Sequence, residues 1–569
     1  MKRILFSLLI LMAASVWAQP VMNGIEISVT EKYTAQVAEG IKITGQPNVM
    51  DTTVEKLPVK ISVRNRTWVP EPRLEEIPAL KISRTRLERL PANTVHMALG
   101  NYASANVSFA LGNARSDLNR WGISGEHFST QGGFRANDAN DMALSVFNRS
   151  TWLENNISGH YARIIGRGRI SAKGQADWNR YTFYGQPYVA GSNDADTAMA
   201  SPGRWVQNYQ VALGYEQSRI RRKQVFHGAD LIGHHWIDQG GRQTESGLAG
   251  GIDWKLPVQD VVLELPIKGS WNHLMQASNM DSTGLPFGPI DYWAAQFSPA
   301  VSDSVGSIYF RVGLNAIFTG KGGQLDKPYL PPVVHLELPL VREVLNVYVG
   351  LEGSADNGGM RSRVQDMPFL SETAEYQAVR QANLYAGASG RLTSSIGYRF
   401  GVRQRSYANY AMYIRDYSAY AGARDSGRFQ VQYTGVTMLE PSGELSFQNG
   451  LGWELRAFAL LRRATRTSGG SLYHVPSSEI GAQAFFNLQD KIRFESTVIY
   501  RGSRLASGEG GVDQNLPGYL DGRLSAVYTY NKQLNATFKV DNLFHSRATW
   551  WLGYPVQGIR ANLGLVYKF

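Results

Sequence analysis

From Thr94 onward, apolar and polar residues alternate over stretches of roughly ten positions, the period of a half-buried β-strand. In the stretch 520–530, Leu520, Leu524, Ala526, Tyr528 and Tyr530 are apolar, and Asp521, Arg523, Ser525 and Thr529 are polar. Asn531 and Lys532 turn the chain. The return sets Leu534, Ala536, Phe538 and Val540 against Gln533, Asn535, Thr537, Lys539 and Asp541, and the final stretch puts Ala561, Leu563, Leu565, Tyr567 and Phe569 on one face. Ile308, Phe310, Val312, Leu314, Ala316 and Phe318 follow the same rule, as do Ile492, Phe494, Val498 and Tyr500. The charged face needs water and the other an apolar neighbour. A soluble sandwich meets that need too. Length argues for a barrel, because roughly 480 residues follow Pro91 without a helical period or linker, more than one soluble core usually spans.

Short connections are predicted near Gly166–Arg167, Ser218–Lys223, Pro257–Asp260, Gly390–Arg391, Leu488–Lys491 and Asn531–Lys532. Long loops are predicted over Gly185–Arg204, Asn272–Asp303, Ser354–Tyr376 and Ser406–Arg428. Outer-membrane barrels keep short turns periplasmic and long loops outside. The expected fold is all-β, a transmembrane antiparallel β-barrel of the cell outer membrane. Counting segments gives about 16 strands, within a range of about 14 to 22.

The N-terminal part differs. Lys2 and Arg3 precede an apolar run from Ile4 to Val16, and Val16-Trp17-Ala18 offers a cleavage site, so residues 1–18 are expected to be a secretory signal peptide. Residues 19–93, broken by Pro47, Pro58, Pro70, Pro72, Pro78 and Pro91, are expected to form an irregular periplasmic or lumenal arm ahead of a barrel spanning 94–569. One short strand is expected there, with Val59, Ile61 and Val63 on one face.

The chain has 0 Cys, which removes disulfides, thiolate metal sites and thiol catalysis together. Beyond the signal peptide no apolar run approaches the ~18 residues of a helical span. The 58 Gly, 28 Tyr, 22 Phe and 13 Trp, with a mean hydropathy of -0.26, suit a wall in which every second residue is apolar. A net charge of +11 points to anionic material, either lipid A phosphates outside or an acidic substrate in the lumen, and a solvated excess of loop charge is the plainer account.

Candidate chemistry is sparse. His227, Asp230, His234 and His235 form the densest cluster, but alternation puts His227 and His235 on one face and His234 on the other. Asn193, Asp194 and Asp196 lack the glycine-centred spacing of a calcium loop, and Arg219, Arg221, Arg222 and Lys223 read as a solvated turn or a dock for an acidic partner. Trp550, Trp551 and Tyr554 are expected in an aromatic girdle at one rim, with Tyr567 and Phe569 at the other. No enzyme activity, metal or cofactor is expected, and no nucleic acid partner.

The C-terminus carries Val540-Asp541-Asn542-Leu543-Phe544, then Gly553-Tyr554-Pro555-Val556-Gln557-Gly558, then Tyr567-Lys568-Phe569. These residues resemble the last hairpin and closing strand of TonB-dependent receptor barrels, and Leu563, Leu565, Tyr567 and Phe569 resemble the signal read by the barrel-assembly machinery. The resemblance implies solute uptake or passage across the outer membrane, in contact with lipid and lipopolysaccharide. Glu26-Ile27-Ser28-Val29-Thr30 is similar to a TonB box, implying TonB as a partner. The chain departs from that family in having only about 75 residues between Gln19 and the first barrel strand, too few for a full plug domain. The alternative function is an accessory or structural subunit that binds a periplasmic or outer-membrane partner protein.

Overall fold

A computed structural model describes residues 93–569 apart from 114, 115, 117, 138–142, 186–202, 218–224, 240–242, 260, 277–287, 372–375, 418–426 and 450–451, with backbone only for the described part of 133–150. The expected signal peptide, the arm with Glu26–Thr30 and Val59–Val63, the acidic loop 193–196 and the basic turn 219–223 lie outside the described residues.

Consecutive strands pair antiparallel all the way round. The first strand, Thr94–Gly100, pairs with the last, Arg560–Lys568, in a register running from Thr94 opposite Lys568 to Gly100 opposite Asn562. Closure leaves no edge, which is the condition for strands to cross a bilayer with every backbone group bonded. The barrel has 22 strands. That corrects the count of about 16, and the reason lies in the wall's irregularities. Breaks at Pro266, Pro299 and Asn315 split three neighbouring strands into the pieces Val261–Glu264 and Ile267–Gln276, Ala300–Val305 and Ile290–Phe297, and Ile308–Leu314 and Ala316–Lys321. Proline has no amide to donate, so it interrupts a ladder and disguises the strand in the sequence. Here the break is bridged: Ser298 N–H donates to Pro266 O at 3.0 Å, Leu314 N–H to Pro299 O at 3.0 Å, and Asn315 N–H to Pro331 O at 2.9 Å. The described residues of the expected long loop Asn272–Asp303 are therefore mostly wall, with the strand Ile290–Phe297 inside it and Ile267–Gln276 and Ala300–Val305 overlapping its ends.

The side-chain alternation sorts into an outer and an inner face. Leu563, Leu565, Tyr567 and Phe569 point outward from the closing strand, at 68%, 55%, 47% and 52% exposure, and lipid is what covers such a row. Phe494, Tyr500, Tyr528 and Phe538 continue it on neighbouring strands. The inner face carries Arg493, Arg501, Asp521, Arg523 and Asp541. Tight turns such as Gly166, at φ +59°, and Asn531 close one end. The long connections gather at the other end, the extracellular one in this class of barrel.

Candidate functional site

Two arrangements on the inner side carry chemistry, a ladder of ion pairs along the wall and a cover across the outer mouth.

The ladder begins on the strand Ile396–Arg415, where Arg405 Nε lies 2.9 Å from Glu440 of the next strand. Glu440 also holds Arg462 at 3.0 Å, Arg462 holds Glu479 at 2.6 Å, and Arg501 spans Glu479 at 3.9 Å and Asp521 at 3.3 Å. Asp521 and Arg523 share the inner face of the strand Tyr519–Thr529, and from Arg523 the series resumes: Nε to Asp541 at 2.7 Å, and Asp541 to Arg560 at 2.8 Å. Arg560 then lies over the Phe128 ring at 4.9 Å. Glu440, Glu479 and Asp541 are each shared by two guanidiniums and Asp521 takes Arg501, so signs alternate along the wall. Glu440 is 2% exposed and Asp541 9%, so the guanidiniums beside them supply the contacts that bulk water does not.

Beside the ladder lies a cavity of about 410 Å³, lined by Arg501, Arg523, Arg560, Asp521, Asp541 and Trp550 among others. Its size falls at the lower end of small-molecule pockets. Arg501 and Arg504 lie 5.0 and 5.3 Å from the Trp550 ring centre, fixing the indole against the wall.

The cover is an apolar cluster that joins positions far apart round the barrel. It contains Tyr181, Val206, Trp236, Leu274 and Tyr292 from five strands, Met360, Val364, Met367, Phe369 and Leu370 from one long connection, and Leu552 and Tyr554 from another. Phe369 stacks on Tyr554 with ring centres 3.7 Å apart, and Trp551 packs edge-on to Tyr413 and Phe429. Trp551 and Tyr554 thus do not form the expected lipid girdle, and Trp550 lines the cavity. The connection that carries them folds over the lumen, where their rings find a dry neighbour. Gly553 permits this fold: its φ of +83° suits glycine, and a Cβ would collide with the Arg415 guanidinium, which donates to Leu552 O and Gly185 O.

The receptor-like C-terminal residues join both arrangements. Asp541 is a rung of the ladder. Asn542, in the left-handed region at φ 52°, donates to Ser546 O at 3.0 Å and Gln557 O at 2.7 Å, fastening both ends of its connection. Tyr554 donates to Gly427 O at 2.6 Å, with Pro555 O accepting from Tyr184 at 3.1 Å. Leu543 and Phe544 are partly exposed at the rim. A side chain at Gly558 would meet Tyr102 and His545. Of the histidine cluster, His234 points inward to Glu245 at 3.3 Å, His235 bonds Ser246 at 2.8 Å and His227 stacks on Tyr215, so the cluster is divided between the two faces. Among the described residues no group of three His, Asp or Glu converges as for a metal ion.

The sequence alone did not single out Arg405, Glu440, Arg462 or Glu479. Each sits on the polar side of its strand, and only the pairing of strands reveals that they meet.

A closed barrel of 22 strands with a polar lumen defines the class by its fold, which is similar to that of TonB-dependent receptor barrels. The sequence matches no protein-family model and no curated protein. Solved structures share the fold. The siderophore receptor PirA from Acinetobacter baumannii superposes with a TM-score of 0.64 at 11% identity, over 84% of this chain and 80% of that one. The FrpB iron transporter from Neisseria meningitidis gives 0.65 at 9% identity, over 85% and 82%. A variant of the ferric enterobactin receptor PfeA from Pseudomonas aeruginosa, solved with enterobactin, gives 0.63 at 12% identity, over 84% and 81%. These neighbours are receptors and transporters.

Proposed function

We propose that this chain is an outer-membrane uptake barrel that passes a solute inward along its charged lumen. The observation that carries this reading is closure of 22 strands around a wall of alternating ion pairs. A barrel of that strand number is wide enough for a solute path and, in transporters, has its lumen filled. Two features support active uptake: the resemblance of Glu26–Thr30 to a TonB box and the receptor-like closing hairpin. A second reading, an accessory subunit anchored by the barrel, is favoured by the cover, which closes the mouth with the chain's own connections.

Single-channel conductance and affinity purification, with and without residues 19–93, separate the two. For an uptake barrel with a lumenal arm, conductance is low in the intact protein and rises on deletion. For an accessory subunit, conductance does not change and co-purifying proteins are lost. An intact protein that is already open and purifies alone refutes both.

A further inference from the structure

The connection after the strand Leu345–Asp356 does not project outward. Its first part, Asn357–Ser371, turns into the lumen as the helix Gly359–Asp366 and an extended tail, and charged wall residues grip it at both ends. At the helix start, Glu245 of the strand Gln243–Val258 accepts from Met360 N–H at 2.7 Å and Arg361 N–H at 3.2 Å, and from the Tyr292 hydroxyl at 2.5 Å. Gly359, at φ +72°, admits this carboxylate, because a Cβ there would meet both its oxygens. At the tail, Arg204 donates to Pro368 O at 3.1 Å and Leu370 O at 2.7 Å while paired with Asp238 at 2.5 Å. Ser371 N–H donates to Phe429 O at 2.6 Å, on a strand from another part of the wall. Glu245, Asp238 and Arg204 are 0%, 0% and 1% exposed. Buried charges on a wall are costly unless matched, and here main-chain groups of the connection complete a match that Asp238 and Tyr292 begin.

We infer that Asn357–Ser371 is a latched gate across the outer mouth, with Glu245 and the Arg204–Asp238 pair as its two latches. The cover is then a closed state of a solute path, since an apolar cluster alone would seal the mouth without placing three buried charged groups beneath one connection. Passage from outside requires both grips to let go, and each release strips a buried charged group of its main-chain partners on the connection, leaving Glu245 with Tyr292 and His234 and Arg204 with Asp238. The gate therefore rests closed and opens when something compensates those charges.

The absence of cysteine allows a direct test with the full chain in intact cells. Ser270 lies on the inner wall, where it accepts from Asn357 Nδ2 at 3.3 Å, so S270C reports access past the gate. The probe is a hydrophilic maleimide too large for general porins, and E509C, in an exposed outer turn, is the control that labels quickly throughout. The expected result is slow labelling of S270C, accelerated about tenfold or more by E245A or, separately, by R204A, and little changed by E245Q, which keeps acceptor oxygen. Heat-modifiable mobility identifies folded barrels, and the two release variants act on different strands, so a defect in one leaves the other informative. Rapid labelling with both latches intact, or unchanged rates in folded release variants, overturns the gate. Gated labelling without solute uptake would overturn the proposed function and leave the gate standing.

Discussion

Asp541 offers the sharpest test of the lumenal ladder. Its carboxylate takes Arg523 Nε at 2.7 Å and Arg560 Nη2 at 2.8 Å, and Lys539 Nζ lies 3.6 Å away. D541A removes the one anion among three cations. Two unit charges about 5 Å apart repel by ~3 kcal/mol at an effective dielectric of about 20. The Arg523 side chain is 57% exposed, so solvent screening cuts this figure. A loss of about 2 kcal/mol remains, a factor of roughly 30 in an equilibrium or unfolding rate. Barrels of this kind unfold slowly, so the assay is the rate at which the folded, heat-modifiable band disappears at fixed temperature, in D541A, D541N, R560Q and D541N/R560Q. D541A unfolds fastest, and the double variant unfolds more slowly than D541N, because one uncompensated cation has gone. Wild-type rates in D541A, or a double variant whose loss is the plain sum of the singles, would show that the ladder does not act as a coupled series.

Three further outcomes follow from particular residues. Deleting Tyr567–Phe569 removes the end of the lipid-facing row and lowers the yield of folded barrel far more than deleting three residues from a long connection; equal yields remove any assembly role from the closing strand. Adjacent positions test the two faces: L565R places a cation in lipid at about 2–4 kcal/mol near the midplane, whereas V566R faces the lumen and costs much less, as urea unfolding in lipid vesicles would register. His474, in the connection between two strands, has both ring nitrogens buried without a partner, and burial together with nearby Arg504 lowers its pKa to about 3. The folded state therefore takes up its proton later than the unfolded state, so the cover loses stability as pH falls from the ordinary histidine value of 6.5 toward about 3. In H474F, which keeps a ring against Trp551 and Phe429, hydrogen exchange of the cover amides between pH 7 and pH 4 changes less than in the wild type; an unaltered pH response excludes this histidine as the cause.

Much of the wall was legible because a strand's period of two writes its environment into consecutive letters. Ile492–Tyr500, Leu520–Tyr530 and Ala561–Phe569 could be assigned to faces from the sequence, and the structure places their apolar rows outward. The same rule failed wherever the wall breaks its own period. Pro266, Pro299 and Pro331 sit in or beside wall strands, and a local reading treats proline as the end of a strand. The bonds that carry the wall across these breaks are made by neighbouring strands, which no local window contains.

The site divides along the same line. Asp541 and Asn542 drew notice because they stand in a recognisable C-terminal stretch, yet their partners Arg523, Arg560 and Gln557 are joined to them only by strand pairing and loop closure. Aromatics near a rim favour an interface, so the sequence points Trp551 and Tyr554 to a lipid girdle, and it holds no mark of whether a connection folds outward or over the lumen. Glu245 meets Met360 across 115 positions of chain, and Arg204 meets Leu370 across 166. The two-faced wall is thus a property of local order, set by short-range patterns of polarity. The strand number, the ladder and the latched cover are properties of closure: they exist only once the last strand has found the first and distant charges have been brought within bonding distance.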